Sequence, residues 1–234
     1  MIKSYKKECD YSYTLGIFLT IELLKVLPEK VYYVALSSKS EQSAGINKIK
    51  ELCAQYKIAC EVNDKQIDNL SPKENCFAIG FFKKYDCTLE LNNHIVLVNP
   101  ADTGNLGNIL RSMAGFEFNS LAIIKPGVDI FDPKTVRASM GAIFHINFEY
   151  FDTFENYSKI YPRTYYPFML SSSTPLQSVK FIKPYSLVFG NESSGLNENY
   201  KNIGKSVVIP HSKLIDSLNL QTAVVIALYS TTIK

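Results

Sequence analysis

The sequence predicts an α/β protein with a mainly parallel sheet and helices on both of its faces, and three observations predict it. Short apolar runs rich in β-branched and aromatic residues alternate with helix-length segments, most clearly after residue 93. Several of these runs, such as V-Y-Y-V-A-L-S over 31–37, are apolar without interruption, as strands buried on both faces are. Glycine- and asparagine-bearing segments then fall where strands give way to loops or helices, the usual place for a ligand in such a fold. At 234 residues the chain has room for one large domain, or for a small one joined to a medium one.

The elements divide into two blocks. In the first, Leu15, Ile17, Phe18, Ile21, Leu23, Leu24 and Val26 suit a mostly buried helix within 13–27, stopped by Pro28. A buried strand over 31–37, a polar helix from about Glu41 to Tyr56, and strands at 59–62 and 76–82 follow, which makes a small α/β domain over residues 1–85. The stretch 83–93 has few large apolar residues and reads as a linker. The second block, 92–234, begins with a strand at 94–99 and a helix running to about Phe116. A strand at 120–125 comes next, then a helix with Pro133 at its first position, where the missing N–H costs nothing. Strands at 146–150, 185–189 and 206–210 precede a terminal apolar helix over 217–229.

Composition narrows the function classes. No apolar run reaches the length of a bilayer span, and the opening M-I-K-S-Y-K-K-E has no apolar core behind it, so neither a membrane span nor a secretory signal is expected. The five cysteines are odd in number, confined to the first 90 residues and free of any C-x-x-C pair, so the expectation is reduced thiols, no metal site and a cytosolic location. Net charge is only +3 and is spread evenly, so charge alone does not argue for a nucleic-acid partner. The clusters Lys3, Lys6, Lys7 and Lys83, Lys84 read either as phosphate contacts or as solvated surface.

Three segments carry the chemistry. In D-T-G-N-L-G-N-I-L-R (102–111), Gly104 and Gly107 flank Asn105 at a strand-to-helix turn, where glycine permits positive φ and close approach. The helix start favours an anion, and Arg111 carries five fixed donors suited to a phosphate, or else forms a surface ion pair. In G-N-E-S-S-G (190–195) a strand runs into a loop that can offer backbone groups to a planar heterocycle, or is simply a polar turn. In I-P-H-S-K-L-I-D-S-L-N-L (209–220), Ser217 and Asn219 are polar residues entering an apolar helix, with Ser217 read as its N-cap. Neither a dinucleotide G-x-G-x-x-G nor a phosphate-loop lysine is present.

In this order and spacing the three segments resemble the three motifs of the SpoU/TrmH-type RNA 2′-O-ribose methyltransferases of the SPOUT superfamily. Those carry N-x-G-x-I-x-R, G-x-E-x-x-G and I-P…S-L-N, and P-K-T-V-R-A-S-M-G-A-I-F (133–144) fits between the first two motifs. The resemblance implies a methyltransferase domain ending in a C-terminal trefoil knot, preceded by a small substrate-binding domain for RNA. It implies S-adenosyl-L-methionine as methyl donor without a metal, a tRNA or rRNA substrate, and a homodimer. Carried over by position, Arg111 contacts the RNA phosphate or helps deprotonate the ribose hydroxyl, while Asn105, Glu192, Ser217 and Asn219 complete the catalytic site. Gly190, Asn191, Gly195, Ile209, Pro210 and Leu218 form the cofactor-binding set. The chain departs from the family pattern at Thr103, Asn108, His211 and N-L-Q-T-A (219–223), and His211 stands where methionine is usual. The alternatives are a non-catalytic RNA-binding or ribosome-assembly factor that keeps the fold, and an α/β enzyme using another nucleotide cofactor.

Overall fold

A computed structural model describes residues 4–40, 43–71 and 75–232. Its regular elements are, in chain order, β1 (Tyr11–Tyr13), α1 (Ile17–Val26), β2 (Val31–Leu36), α2 (Ala44–Tyr56), β3 (Ala59–Val62), α3 (Asp64–Leu70) and β4 (Ala78–Lys83). Then follow β5 (His94–Val98), α4 (Thr103–Gly115), β6 (Ser120–Ile124), α5 (Pro133–Ala138), β7 (Asn147–Phe151), α6 (Phe154–Ile160), β8 (Thr164–Pro167), β9 (Tyr185–Phe189) and α7 (Leu220–Thr232). The chain clusters into two units, Met1–Tyr85 with Asp129–His145, and Asp86–Val128 with Ile146–Lys234.

In the first unit the sheet order is β1-β4-β2-β3, with β2 and β3 parallel and the other pairs antiparallel. Helix α1 is nearly all apolar and buries Leu19, Leu23 and Leu24. Helix α2 starts where the Ser43 hydroxyl accepts from the Ile46 amide at 3.3 Å; the expected helical residues Glu41 and Gln42 lie outside the described residues, as does Lys3. Helix α3 escapes the sequence pattern because D-K-Q-I-D-N-L offers only Ile67 and Leu70 as apolar anchors. Its start is fixed instead by Asn63, whose side chain accepts from the Gln66 amide at 3.1 Å.

Residues 129–145, which the sequence groups with the second block, cluster with this first unit. Phe131 packs edge-on against Tyr85 with ring centroids 5.1 Å apart, and Phe144 against Phe82 at 5.6 Å. Ser12 donates to the Phe131 carbonyl at 2.6 Å, and the Lys84 ammonium reaches the Asp129 carboxylate at 3.2 Å. Lys84 also donates to the Lys7 carbonyl at 2.8 Å and lies 4.6 Å from the centre of the Tyr5 ring. It is therefore a structural cation, and of the pair Lys83 and Lys84 only Lys83 is exposed.

The second unit holds an all-parallel sheet in the order β7-β6-β5-β9-β8. Alternate strand residues face opposite sides. Val96, Val98, Ala122, Ile124 and Val188 pack with Phe154, Tyr157 and Tyr161 at helix α6. Ile95, Leu97, Leu121, Ile123, Leu187 and Phe189 are buried on the other side, where α4 packs on α7 and α7 on β9. The expected parallel sheet with helices on both faces is what the unit contains.

The expected strand at 206–210 is not a regular one. Val207 bridges Phe168 and Val208 bridges Pro175, so the partner changes after one residue and no ladder extends. The segment is still hydrogen-bonded, Val207 N to the Pro167 carbonyl at 2.8 Å and Met169 N to the Val207 carbonyl at 2.8 Å.

Candidate functional site

Strands β5 and β9 are hydrogen-bonded neighbours ending at Val98 and Phe189, so the first two motifs leave the sheet side by side at its carboxyl edge. After β5 the chain turns at Asn99, which takes the left-handed conformation with φ 53°. Asp102 then caps α4, accepting from the Asn105 amide at 2.6 Å. Gly104 and Gly107 are helical residues rather than turn residues, so the positive φ expected of them falls to Asn99 instead.

Glu192 joins the two motifs. One carboxylate oxygen accepts from the Ala101 amide at 3.0 Å, and the other from the Asp102 amide at 3.1 Å and the Asn105 side chain at 3.3 Å. The Asn105 side-chain oxygen accepts in turn from the Asn219 side-chain amide at 3.3 Å, which draws in the third motif. Asn219 also caps α7, its side-chain oxygen accepting from the Gln221 amide at 2.9 Å. The cap is therefore Asn219 and not Ser217, because Ser217 lies three residues before the first helical residue and is exposed.

The second-motif loop is closed by its own side chains. The Asn191 side-chain oxygen accepts from the Ser193 amide at 2.9 Å, and its amide donates to the Asn99 carbonyl at 2.7 Å. Gly195 sits at φ +65°, and a Cβ on Gly190 would fall 2.1 Å from the Gly195 carbonyl carbon. Two backbone segments cross here at a distance that only glycine permits.

Beside this loop lies a cavity of about 420 Å³. Gly190, Asn191, Glu192 and Gly195 line one side, and Ile209, Ser217 and Leu218 contribute from the third motif. Phe168, Met169, Leu170 and Ser171 form a further wall that the sequence did not announce, since β8 leading into it is only four residues long. Pro210 borders an adjoining hollow instead, and Asn105, Arg111 and Asn219 do not line the cavity. Arg111 is exposed on α4 and forms no ion pair among the described residues. The acidic side chains on the cavity wall are Glu192, Glu198 and Asp216, and among the described residues that line it His211 is the one with a basic ring. Glu198 accepts from the Ser171 hydroxyl at 2.8 Å and pairs with Lys201 at 2.7 Å, and its carboxyl is held below the usual range by Lys201 first and Ser171 second.

A volume of this size, mostly apolar with a few polar groups, suits a nucleoside-sized ligand. An acidic wall without lysine or arginine opposes a phosphate and suits a cationic ligand such as a sulfonium. Among the described residues no three metal-ligating side chains cluster, no cysteine is in a disulfide, and no helix is long and apolar enough to cross a membrane.

A sequence profile described as the SpoU rRNA Methylase family matches residues 92–229. The ribosomal RNA small subunit methyltransferase G 2 of Syntrophobacter fumaroxidans is 33% identical over 135 residues, covering 58% of this chain and 26% of that protein. The 23S rRNA (uridine(2479)-2′-O)-methyltransferase of Streptomyces viridochromogenes is 26% identical over 156 residues, covering 58% of this chain and 50% of the relative. The chain thus spans a half or less of the length of these two relatives. An rRNA methyltransferase from Sinorhizobium meliloti, solved with AdoMet bound, superposes with a TM-score of 0.78 at 23% identity, over 94% of this chain and 86% of that one, a likeness of fold.

Proposed function

The chain belongs to the SpoU rRNA methylase family, and from that premise we propose that it transfers the methyl group of S-adenosylmethionine to a ribose 2′-hydroxyl of tRNA or rRNA. The observation that carries the reading is the Glu192 clamp, which ties all three motifs together beside an acidic, phosphate-averse cavity. A dinucleotide enzyme needs the opposite electrostatics.

Bound there, the cofactor supplies an electrophilic methyl on a cationic sulfur. The backbone around Gly190, Asn191, Gly195, Ile209 and Leu218 holds it, and Pro210 fixes the course of the third-motif loop. Glu192 accepts from three donors of the first motif, so it orients Asn105 and the start of α4. Asn219 steadies Asn105 from the other side, and Ser217 offers a hydroxyl at the cavity wall. Arg111, permanently cationic and exposed, binds the RNA phosphate and offsets charge developing on the 2′-oxygen as its proton passes to solvent water. The chain ends in a trefoil knot, acts in the cytoplasm as a homodimer, and uses its first unit to bind the RNA. The dimer reading is supported by Leu214, 93% exposed, and the exposed Ile215 at the adjoining hollow.

The test is transfer of tritiated methyl from S-adenosylmethionine to total RNA from cells lacking the gene. Label that resists alkaline cleavage at one nucleotide is the expected result. Cofactor binding without label moves the assignment to a non-catalytic RNA-binding factor. Arg111→Ala is expected to abolish transfer while cofactor affinity changes less than about twofold, because Arg111 does not line the cavity.

A further inference from the structure

We infer that His211 reads the purine of the cofactor, its Nε2 accepting a hydrogen bond from the exocyclic amino group and so selecting adenosyl over 6-oxopurine ligands. The inference rests on the reading that the cavity takes S-adenosylmethionine.

The ring is already set in one tautomer. His211 Nδ1 lies 2.9 Å from the Ile209 carbonyl oxygen. A carbonyl only accepts, so Nδ1 carries the proton and Nε2 of the neutral ring carries a lone pair. Among the described residues Nε2 has no hydrogen-bond partner, and the ring borders the cavity.

The position on the wall indicates which part of the ligand meets it. The polar groups of the first and second motifs, Glu192 and Asn105 with Asn219, are bonded to one another at the α4 side. His211 stands instead among Leu170, Val208 and Ile209, an apolar wall suited to the faces of a heterocycle. A flat ring on that wall needs a partner for its edge, and His211 Nε2 is an acceptor at the border that has no partner among the described residues. Adenine presents a donor at C6 and matches it. Hypoxanthine presents a carbonyl oxygen at the same place and sets lone pair against lone pair. Methionine, usual at this position in the family, offers no comparable acceptor, so the selectivity belongs to this chain.

The experiment measures, by calorimetry, the affinities of S-adenosylhomocysteine and S-inosylhomocysteine for the wild-type chain, His211→Met and His211→Gln. The wild type is expected to prefer the adenosyl ligand by about tenfold, the scale of one hydrogen bond gained against one acceptor left unpaired. His211→Met is expected to bring the two within about twofold, chiefly by weakening the adenosyl ligand. His211→Gln, whose amide can turn either way, is expected to bind both within about twofold. A wild type that does not discriminate, or a His211→Met variant that keeps the preference, overturns the inference and leaves the methyltransferase reading standing. Failure of the wild type to bind any adenosyl ligand overturns both.

Discussion

Glu192 is the residue on which the three motifs depend. A carboxylate that accepts from two backbone amides and one side-chain amide has three of its about four lone-pair sites engaged, so it acts first as a clamp. Its contribution is to fix where α4 begins relative to the second-motif loop. Glu192→Gln therefore replaces an acceptor with a donor facing the Ala101 or Asp102 amide. These bonds are exposed, so water offsets much of the mismatch, and urea unfolding is expected to lose no more than about 1 kcal/mol. Transfer activity is expected to fall in the same variant, together with cofactor affinity. Arg111→Ala, by contrast, is expected to leave stability and affinity in place and remove transfer alone, so the two variants separate holding the site from using it. A Glu192→Gln protein with wild-type stability and activity ends the clamp interpretation.

At the scale of elements, the second-motif loop makes the sharpest demand on sequence. Gly190 has no room for a methyl group, because the nearest atoms are backbone rather than flexible side chain. Gly190→Ala is expected to lower cofactor affinity by more than about tenfold and to cost over ~2 kcal/mol of stability, as overpacking with strain does. Gly115→Ala is the contrasting case. It lies at the end of α4 with nothing within 4 Å of its added carbon, and alanine there is expected to be neutral or to stabilise by about 0.5–1 kcal/mol. Both are read by calorimetric titration and urea unfolding. The same contrast explains how much was legible in the sequence. Strands β5, β6 and β9 are continuous apolar runs between breakers, and α4 and α7 are long, so their patterns stand out. Helix α6 and strand β8 are seven and four residues long, too short to show a period, and the wall at 168–171 that follows β8 went unseen with them. The strand expected at 206–210 has the right residues, but its hydrogen bonds go to two separate segments, a tertiary fact that composition does not carry. In the site, the residue types were readable from the motifs. That Glu192 reaches Asn105, or that Asn219 rather than Ser217 caps α7, depends on distances between parts of the chain up to 114 residues apart.

For the molecule as a whole, pH dependence of stability is set by a buried polar layer at the amino ends of the parallel strands. His94 Nε2 donates to the Glu90 carbonyl at 2.6 Å, which leaves Nδ1 to accept from the Tyr157 hydroxyl at 2.8 Å. Ser186 donates to Tyr157 at 2.6 Å and completes the chain. Burial in this layer pushes the His94 pKa down from 6.5 to about 4. The neutral ring is thus favoured by folding, and the unfolded chain binds more protons between those values. Stability is fully present above about pH 6.5, is lost progressively as pH falls toward 4, and changes no further from this group below that. The loss across the window is on the order of 3 kcal/mol. Asp64 and Glu198, held down by hydrogen bonds and a lysine partner, act only below about pH 4.5 and so titrate in a separate range. His94→Gln keeps one donor and one acceptor but has no proton to take up. Urea unfolding at pH 7 and pH 5 is expected to show a marked drop for the wild type and a flatter response for this variant. Equal slopes in the two proteins mean that the imidazole is hydrated enough to titrate normally, and that the layer does not hold it neutral.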